Sequence, residues 1–170
     1  MRRVTSDAVT VRRVVPGDAG KVRAIRMEML ADAPLAFIET LAQAAERPHA
    51  DFEARVAASA EGGHSARFVA DAGCRLVGHV GALADSAGRT WLVSVYVSPS
   101  HRRTGLLDAL VDAAAQWSLA YHRQWLALTV VSSNLRARRA YERLGFHDTG
   151  VRVPHLTVAT LTEIEMIRHA

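Results

Sequence analysis

Two short stretches of the chain concentrate groups able to do chemistry. In the first, Arg102, Arg103, Thr104 and Gly105 follow an apolar, β-rich run from Leu92 to Val97 that Pro99 closes, and an amphipathic stretch begins directly after Gly105. Strand, turn and helix start in that order make a phosphate cradle. The first N–H groups of a helix have no intrahelical partners and carry partial positive charge. Glycine lets an anion approach the backbone, and arginine adds bidentate charged hydrogen bonds. Taken alone, the same residues are equally an exposed polar turn. The second stretch runs from Asn134 to Phe146. Asn134 stands between a strand and a helix, where an N-cap belongs. Arg136, Arg138, Arg139 and Arg143 make the helix basic, by default a solvated face. Ala137, Ala140, Tyr141 and Leu144 form its apolar stripe, with Tyr141 a core-facing residue whose hydroxyl needs a polar partner.

The elements that must position these groups follow from hydrophobic period and turn residues. Thr10 to Val15 reads as a strand, punctuated by Pro16 and Gly17, with Asp18 as N-cap of a helix over 19–32. Val22, Ile25, Met29 and Leu30 give that helix its spacing, and Ala33-Pro34 ends it. Phe37 to Arg47 and Ala50 to Ser59 read as a second helical region broken near Pro48. Strands are expected at Ala66–Asp71, Arg75–Ala84 and Trp91–Val97, joined by turns short enough to make them antiparallel. Leu107, Leu110, Val111, Ala114, Trp117 and Tyr121 fall on one helix face. A strand at Trp125–Val131 then lies across a crossover from Trp91–Val97, so those two can run parallel. A helix from Leu135 to Leu144, a C-cap at Gly145 and strands near Phe146–Val151 and Leu161–Arg168 complete the chain. The sum is an α/β fold with a mixed sheet and helices on both faces. It does not alternate as a doubly wound sheet does.

Composition bounds the function. The 170 residues, 49% of them hydrophobic, suffice for one domain over 1–170 with a sizeable core and exclude a disordered chain. No apolar run is long enough to span a membrane, and the first residues lack the apolar core of a signal peptide, so a soluble, cytoplasmic protein is expected. Cys74 is the single cysteine, in a turn, which excludes an internal disulfide and a cysteine-rich zinc site. The histidines show no metal-ligand spacing, so no metal is expected. The net charge is +4, with Lys21 the only lysine, an arginine bias that points to a high-GC, bacterial genome. A nucleic-acid binder would need an aromatic stacking surface or reader motif beside its arginines, and neither is present.

Taken in register, the two stretches resemble the GCN5-related N-acetyltransferase (GNAT) superfamily. Its first motif, Arg/Gln-x-x-Gly-x-Gly/Ala opening a helix, stands here as Arg102 to Leu107. Its second, Asn-x-x-Ala-x-x-x-Tyr-x-x-Leu-Gly-Phe, stands at Asn134, Ala137, Tyr141, Leu144, Gly145 and Phe146. The departure is Leu107, where the family has Gly or Ala.

The resemblance implies a mostly antiparallel sheet with two central parallel strands splayed into a V, and acetyl-CoA as co-substrate in that V. It implies that the backbone of Val95, Tyr96 and Val97 holds the pantetheine arm, with an N–H there polarising the thioester. It places the pyrophosphate at Arg102, Arg103, Thr104, Gly105, Leu106 and Leu107, with Asn134 on the cofactor and Arg138 or Arg139 at its adenosine phosphate. Tyr141 becomes the catalytic acid that protonates the departing thiolate. The implied activity is acetyl transfer to a primary amine of a small molecule or protein by direct attack in a ternary complex. The alternative is a non-catalytic acyl-CoA-binding or regulatory module, since neither central strand carries Asp or Glu. Tyr96, His79, Glu28, Glu39 and a water held near Ser94 remain candidates for the base. The acceptor pocket is expected from Asp32 to Thr40 and from the loop Arg152 to Thr160. Dimers are common in such families, so the partners expected are acetyl-CoA, an amine acceptor and a second copy.

Overall fold

The computed structural model describes residues 9–170. Strand β1 (Thr10–Arg13) leads through a short 3-10 turn into α1 (Ala19–Asp32), followed by α2 (Leu41–Glu46) and α3 (His49–Ala60). Three strands come next: β2 (Ser65–Asp71), β3 (Leu76–Ala84) and β4 (Arg89–Val97). Helix α4 (Leu106–Ala120) crosses to β5 (Trp125–Val131). Helix α5 (Leu135–Arg143) and strands β6 (His147–Pro154) and β7 (Thr162–His169) follow. The strands form one sheet in the order β1-β2-β3-β4-β5-β7-β6. The β4/β5 pair is parallel and the others antiparallel, as the crossover requires.

Each face of the sheet has its own apolar layer. On one, Val22, Ile25 and Met29 of α1 and Phe52 and Val56 of α3 pack with Val69, Leu76 and Tyr96. On the other, Leu110, Val111 and Ala114 of α4 pack with Phe68, Val80, Leu126 and Leu128, joined by Tyr141 and Phe146. Coverage on both faces explains why β3 reads as a nearly continuous buried run rather than an alternating one. Gly78 lets α4 sit low over this strand: a Cβ there would lie 2.8 Å from Leu110 Cδ1.

Two features separate β4 from β5. The parallel pairing lasts only from Arg89–Trp91 against Trp125–Ala127, and beyond it the strands diverge. β4 also carries a bulge. Val93 pairs Gly81 and Tyr96 pairs His79, so three steps along β4 face two along β3, with Ser94 at φ 51°. An extra residue bends and over-twists its strand. It also moves neighbouring side chains to different faces: Leu92, Val95 and Val97 lie with the α4 layer, and Tyr96 with the α1 layer.

The structure moves several expected boundaries. Phe37 is extended, not helical, and α2 starts only after Thr40, whose hydroxyl accepts from the Gln43 N–H at 3.2 Å while Gln43 reaches back to the Thr40 N–H at 2.9 Å. That reciprocal box was present in the sequence as Thr40-x-x-Gln43. Asp18 does stand at the N-cap position of α1, but its carboxylate turns back to the Val15 N–H (2.9 Å) and to Arg12 (2.6 and 2.8 Å). β6 extends to Pro154, so Arg152 and Val153 belong to a strand rather than to a loop.

Candidate functional site

The divergence of β4 from β5 opens a cleft of about 1710 Å³. Its walls are Leu92 to Val97 of β4 and Leu128 to Val131 of β5. Beyond Trp91 the β4 edge that faces β5 has no strand partner, so its peptide groups are available to a ligand. The cleft exceeds the few hundred to ~1,000 Å³ typical of a pocket for one drug-sized ligand, so two ligands fit together.

One limb of the V ends at the start of α4. Arg103 (φ 64°) and Gly105 (φ 82°) both adopt left-handed backbone, which turns the chain sharply into the helix. The first intrahelical bond runs from the Ala109 N–H to the Gly105 carbonyl, so the N–H groups before Ala109 have no helical acceptor. Gly105 and Arg103 line the cleft beside them. Nothing lies within 4 Å of a Cβ built on Gly105, so the space over that turn is open for an anion. Leu107 also lines the cleft, and its side chain leans on the α4 core layer, so the larger residue at that position is partly absorbed by packing.

Other residues of this turn do different work. Arg102 lines the cleft, but its Nε donates to the Val97 carbonyl at 3.0 Å and its Nη2 is paired with Asp32, with the guanidinium over the Tyr96 ring. It braces the end of β4 against α1. The Thr104 hydroxyl donates to the His101 carbonyl at 2.6 Å, and Leu106 is buried in the core layer. Neither residue lines the cleft.

The other limb is supplied by α5. Asn134 Oδ1 accepts the Ala137 N–H at 3.1 Å, which makes it the N-cap the sequence called for, and the residue also lines the cleft. Arg136, Arg139 and Arg143 line it too. Arg138 turns away and donates to the Ser132 carbonyl at 3.1 Å. Tyr141 faces the cleft while its ring stays in the core, edge-on to Phe146 at a centroid distance of 5.9 Å. Among the described residues its hydroxyl has no hydrogen-bond partner. Burial pushes the phenol pKa up, so the proton stays on the oxygen across the neutral range.

The floor of the cleft is the β4 bulge. His79 Nδ1 lies 2.8 Å from the Ser94 carbonyl, and because a carbonyl only accepts, Nδ1 carries the hydrogen. Burial first, and the charge of Arg67 second, push the imidazole pKa from 6.5 down to about 3. His79 is therefore a neutral ring that holds the bulge, not a base near its working pH. Tyr96 donates to Glu28 Oε1 at 3.2 Å, and Ser98 donates to the same oxygen at 2.5 Å. This ties the two base candidates Tyr96 and Glu28 to each other beneath the strand. Glu39 lines the cleft with both oxygens engaged by Arg26 and Arg47. From β6–β7, the connecting loop contributes Thr157 to the cleft wall.

Among the described residues no group of three or more His, Cys, Asp or Glu is placed to hold a metal ion, and no helix is long and apolar enough to cross a membrane.

The acetyltransferase (GNAT) family model matches residues 28–146, most of the chain, from the last turn of α1 through α5. This chain belongs to the GNAT family. Its fold is shared with solved GNAT structures. The GNAT-family acetyltransferase of Streptococcus pneumoniae superposes with a TM-score of 0.80 at 18% identity, over 95% of this chain and 99% of that one. yncA of Salmonella typhimurium, solved with its cofactor acetyl-CoA, gives 0.71 at 20% identity over 95% and 94%. Ard1 of Thermoplasma volcanium gives 0.68 at 22% identity over 96% and 98%. At such identities the likeness is one of fold. No curated protein sequence matches the chain significantly.

Proposed function

We propose that this GNAT protein transfers the acetyl group of acetyl-CoA to a primary amine by direct attack in a ternary complex. One observation carries the reading: a cleft between diverging parallel strands has a helix N-terminus on one limb and a buried, proton-bearing Tyr141 on the other. On this reading the pantetheine arm lies along the unpaired edge of Val95 to Val97. The pyrophosphate meets the N–H groups at Gly105, Leu106 and Leu107, with Arg103 beside them. Asn134 contacts the cofactor, and Arg139 reaches the adenosine phosphate.

The amine enters from the side of Phe37, Glu39 and Ser94. Its nitrogen attacks the thioester carbon, and the oxygen that becomes anionic is met by a β4 backbone N–H. The C–N bond forms, the C–S bond breaks, and the sulfur leaves as thiolate. Tyr141 supplies the proton to sulfur. A thiol has an ordinary pKa of about 8.5, and the desolvation that raises the phenol also raises the thiolate's proton affinity. The ammonium proton of the acceptor passes to water in the open cleft before attack, since β4 and β5 carry no carboxylate, and the second N–H proton, lost as the amide forms, returns through water to the Tyr141 phenolate.

The test is thiol release from acetyl-CoA in the presence of amine panels, with mass spectrometry of the products. Turnover with an amine gaining one acetyl group is the expected result. Acetyl-CoA binding by calorimetry without turnover on any amine would instead make the chain a non-catalytic acyl-CoA module.

The cradle can be probed separately. Gly105→Ala puts a Cβ over the turn and forces an L-residue into φ 82°, a cost of roughly 1–2 kcal/mol. The KM for acetyl-CoA should rise by about tenfold or more, the equivalent of ~1.4 kcal/mol of binding, with kcat changed far less. An unchanged KM in initial-rate measurements would remove the pyrophosphate from this turn.

A further inference from the structure

The acceptor side of the cleft holds a concentration of positive charge that acetyl transfer itself does not use. Arg26 of α1, Arg47 at the end of α2 and Arg55 of α3 line it, and Arg67 of β2 stands behind them on the same face of the sheet. One carboxylate, Glu39, serves this group. Its Oε2 accepts from Arg26 Nε at 2.8 Å, and its other oxygen is paired with Arg47. Arg26 also reaches Ser94 Oγ at 3.2 Å, directly at the bulge. Among the described residues neither Arg55 nor Arg67 has an ion pair or a side-chain hydrogen bond. Burial, then the like charges of Arg26, Arg55 and Arg47, lower the Arg67 pKa to about 10, and no carboxylate offsets them. Even so lowered, Arg67 remains charged at neutral pH. A half-buried guanidinium without a partner, as Arg67 is, is costly, and the exposed Arg55 offers a planar fork matched to a carboxylate or phosphate.

We propose that the acceptor is a small amine carrying an anionic group, carboxylate or phosphate, which Arg26, Arg47 and Arg55 hold, with the charge of Arg67 behind them, while its amine reaches the thioester beside Ser94. This rests on the N-acetyltransferase reading above. It selects amino acids or aminoalkyl phosphates over polyamines and other acceptors that bring only positive charge. Phe37, stacked under the Arg26 guanidinium at 5.3 Å, closes the same wall with an apolar surface for the rest of the acceptor.

The experiment compares matched acceptors by thiol release: L-amino acids against their carboxamides, O-phosphoethanolamine against ethanolamine, and spermidine. The anionic member of a pair should have the higher kcat/KM by about tenfold or more, which corresponds to ~1.4 kcal/mol. The amino-acid and phosphate pairs tell the two anions apart. Arg55→Gln, on an exposed helical residue without partners, should shrink that ratio while leaving the KM for acetyl-CoA unchanged, and Arg55→Lys should restore part of it. In parallel, N-acetyl amino acids and their amides are titrated calorimetrically into the CoA-saturated protein. Tighter binding of the acids, weakened in Arg55→Gln, supports the anion site even where turnover is absent. Equal or better use of amides, ethanolamine or spermidine overturns it and leaves the acetyltransferase reading standing. Failure to bind acetyl-CoA, with no preference for acids in calorimetry, overturns both.

Discussion

Replacing Tyr141 by Phe should lower kcat by roughly 10²–10³-fold, the range of a positioned proton donor, while the KM for acetyl-CoA stays within about twofold. The ring is held by the core on one side and edge-on to Phe146, so the Phe variant keeps the packing and removes only the hydroxyl. That hydroxyl has no partner among the described residues, so its loss leaves no buried group unpaired and no stability defect to confuse the result. The defect should shrink with acyl donors whose leaving thiol is more acidic, because a thiolate that departs readily gains less from a proton. A variant with unchanged kcat across donors, measured by steady-state thiol release, would take the acid role from Tyr141.

Acidification below neutral should destabilise the fold through His79. In the unfolded chain this imidazole takes up its proton near 6.5, and in the folded protein only near 3. Between those values the unfolded state binds the extra proton. Stability contributed by neutral His79 is therefore complete above pH 6.5 and falls as the pH drops through that window, by ~1.4 kcal/mol per pH unit. Taking the protein from pH 7 to 4.5 should cost about 3 kcal/mol, a fall in melting temperature of roughly 6–12 °C for a domain of this size. The carboxylate of Asp18, which Arg12 holds below its usual 3.8, stays charged in folded and unfolded states alike over most of this range and does not account for the fall. His79→Gln keeps a donor for the Ser94 carbonyl and removes the titration, so its melting temperature should be flatter with pH. Calorimetric scans of both proteins across pH 4.5–7.5 check this, and parallel slopes for the two would discard the assignment.

Much of the site could be read before any coordinates. The strand before Pro99, the glycine at the start of α4, the Asn134 cap and the Gly145 turn are local events. Each is encoded by one residue type meeting one backbone requirement, and each stands where its spacing put it. The crossover logic also held: β4 and β5 are parallel and their neighbours antiparallel. The failures have physical reasons too. The helical reading of Phe37 followed apolar spacing, but Pro34 and the Thr40–Gln43 box make the segment a turn and an extended link. A sequence shows charge without direction: in the fold Arg102 and Arg138 each donate to a main-chain carbonyl, and of the two only Arg102 also lines the cleft.

The sequence by itself determined the elements, their order, and two motifs whose register resembles the GNAT family, because those features depend on period, turn chemistry and short spacing. Only the tertiary structure decided how β4 and β5 part at a bulge and which side chains of the Arg102–Leu107 turn face the cleft. It also made His79 a neutral brace. It alone gathered Arg26, Arg47, Arg55 and Arg67 from four different places in the chain onto one side of the sheet, with Arg26 and Arg47 sharing Glu39. Their meeting depends on how α1, α2 and α3 pack across the sheet from α4, and no local pattern in the chain encodes that packing.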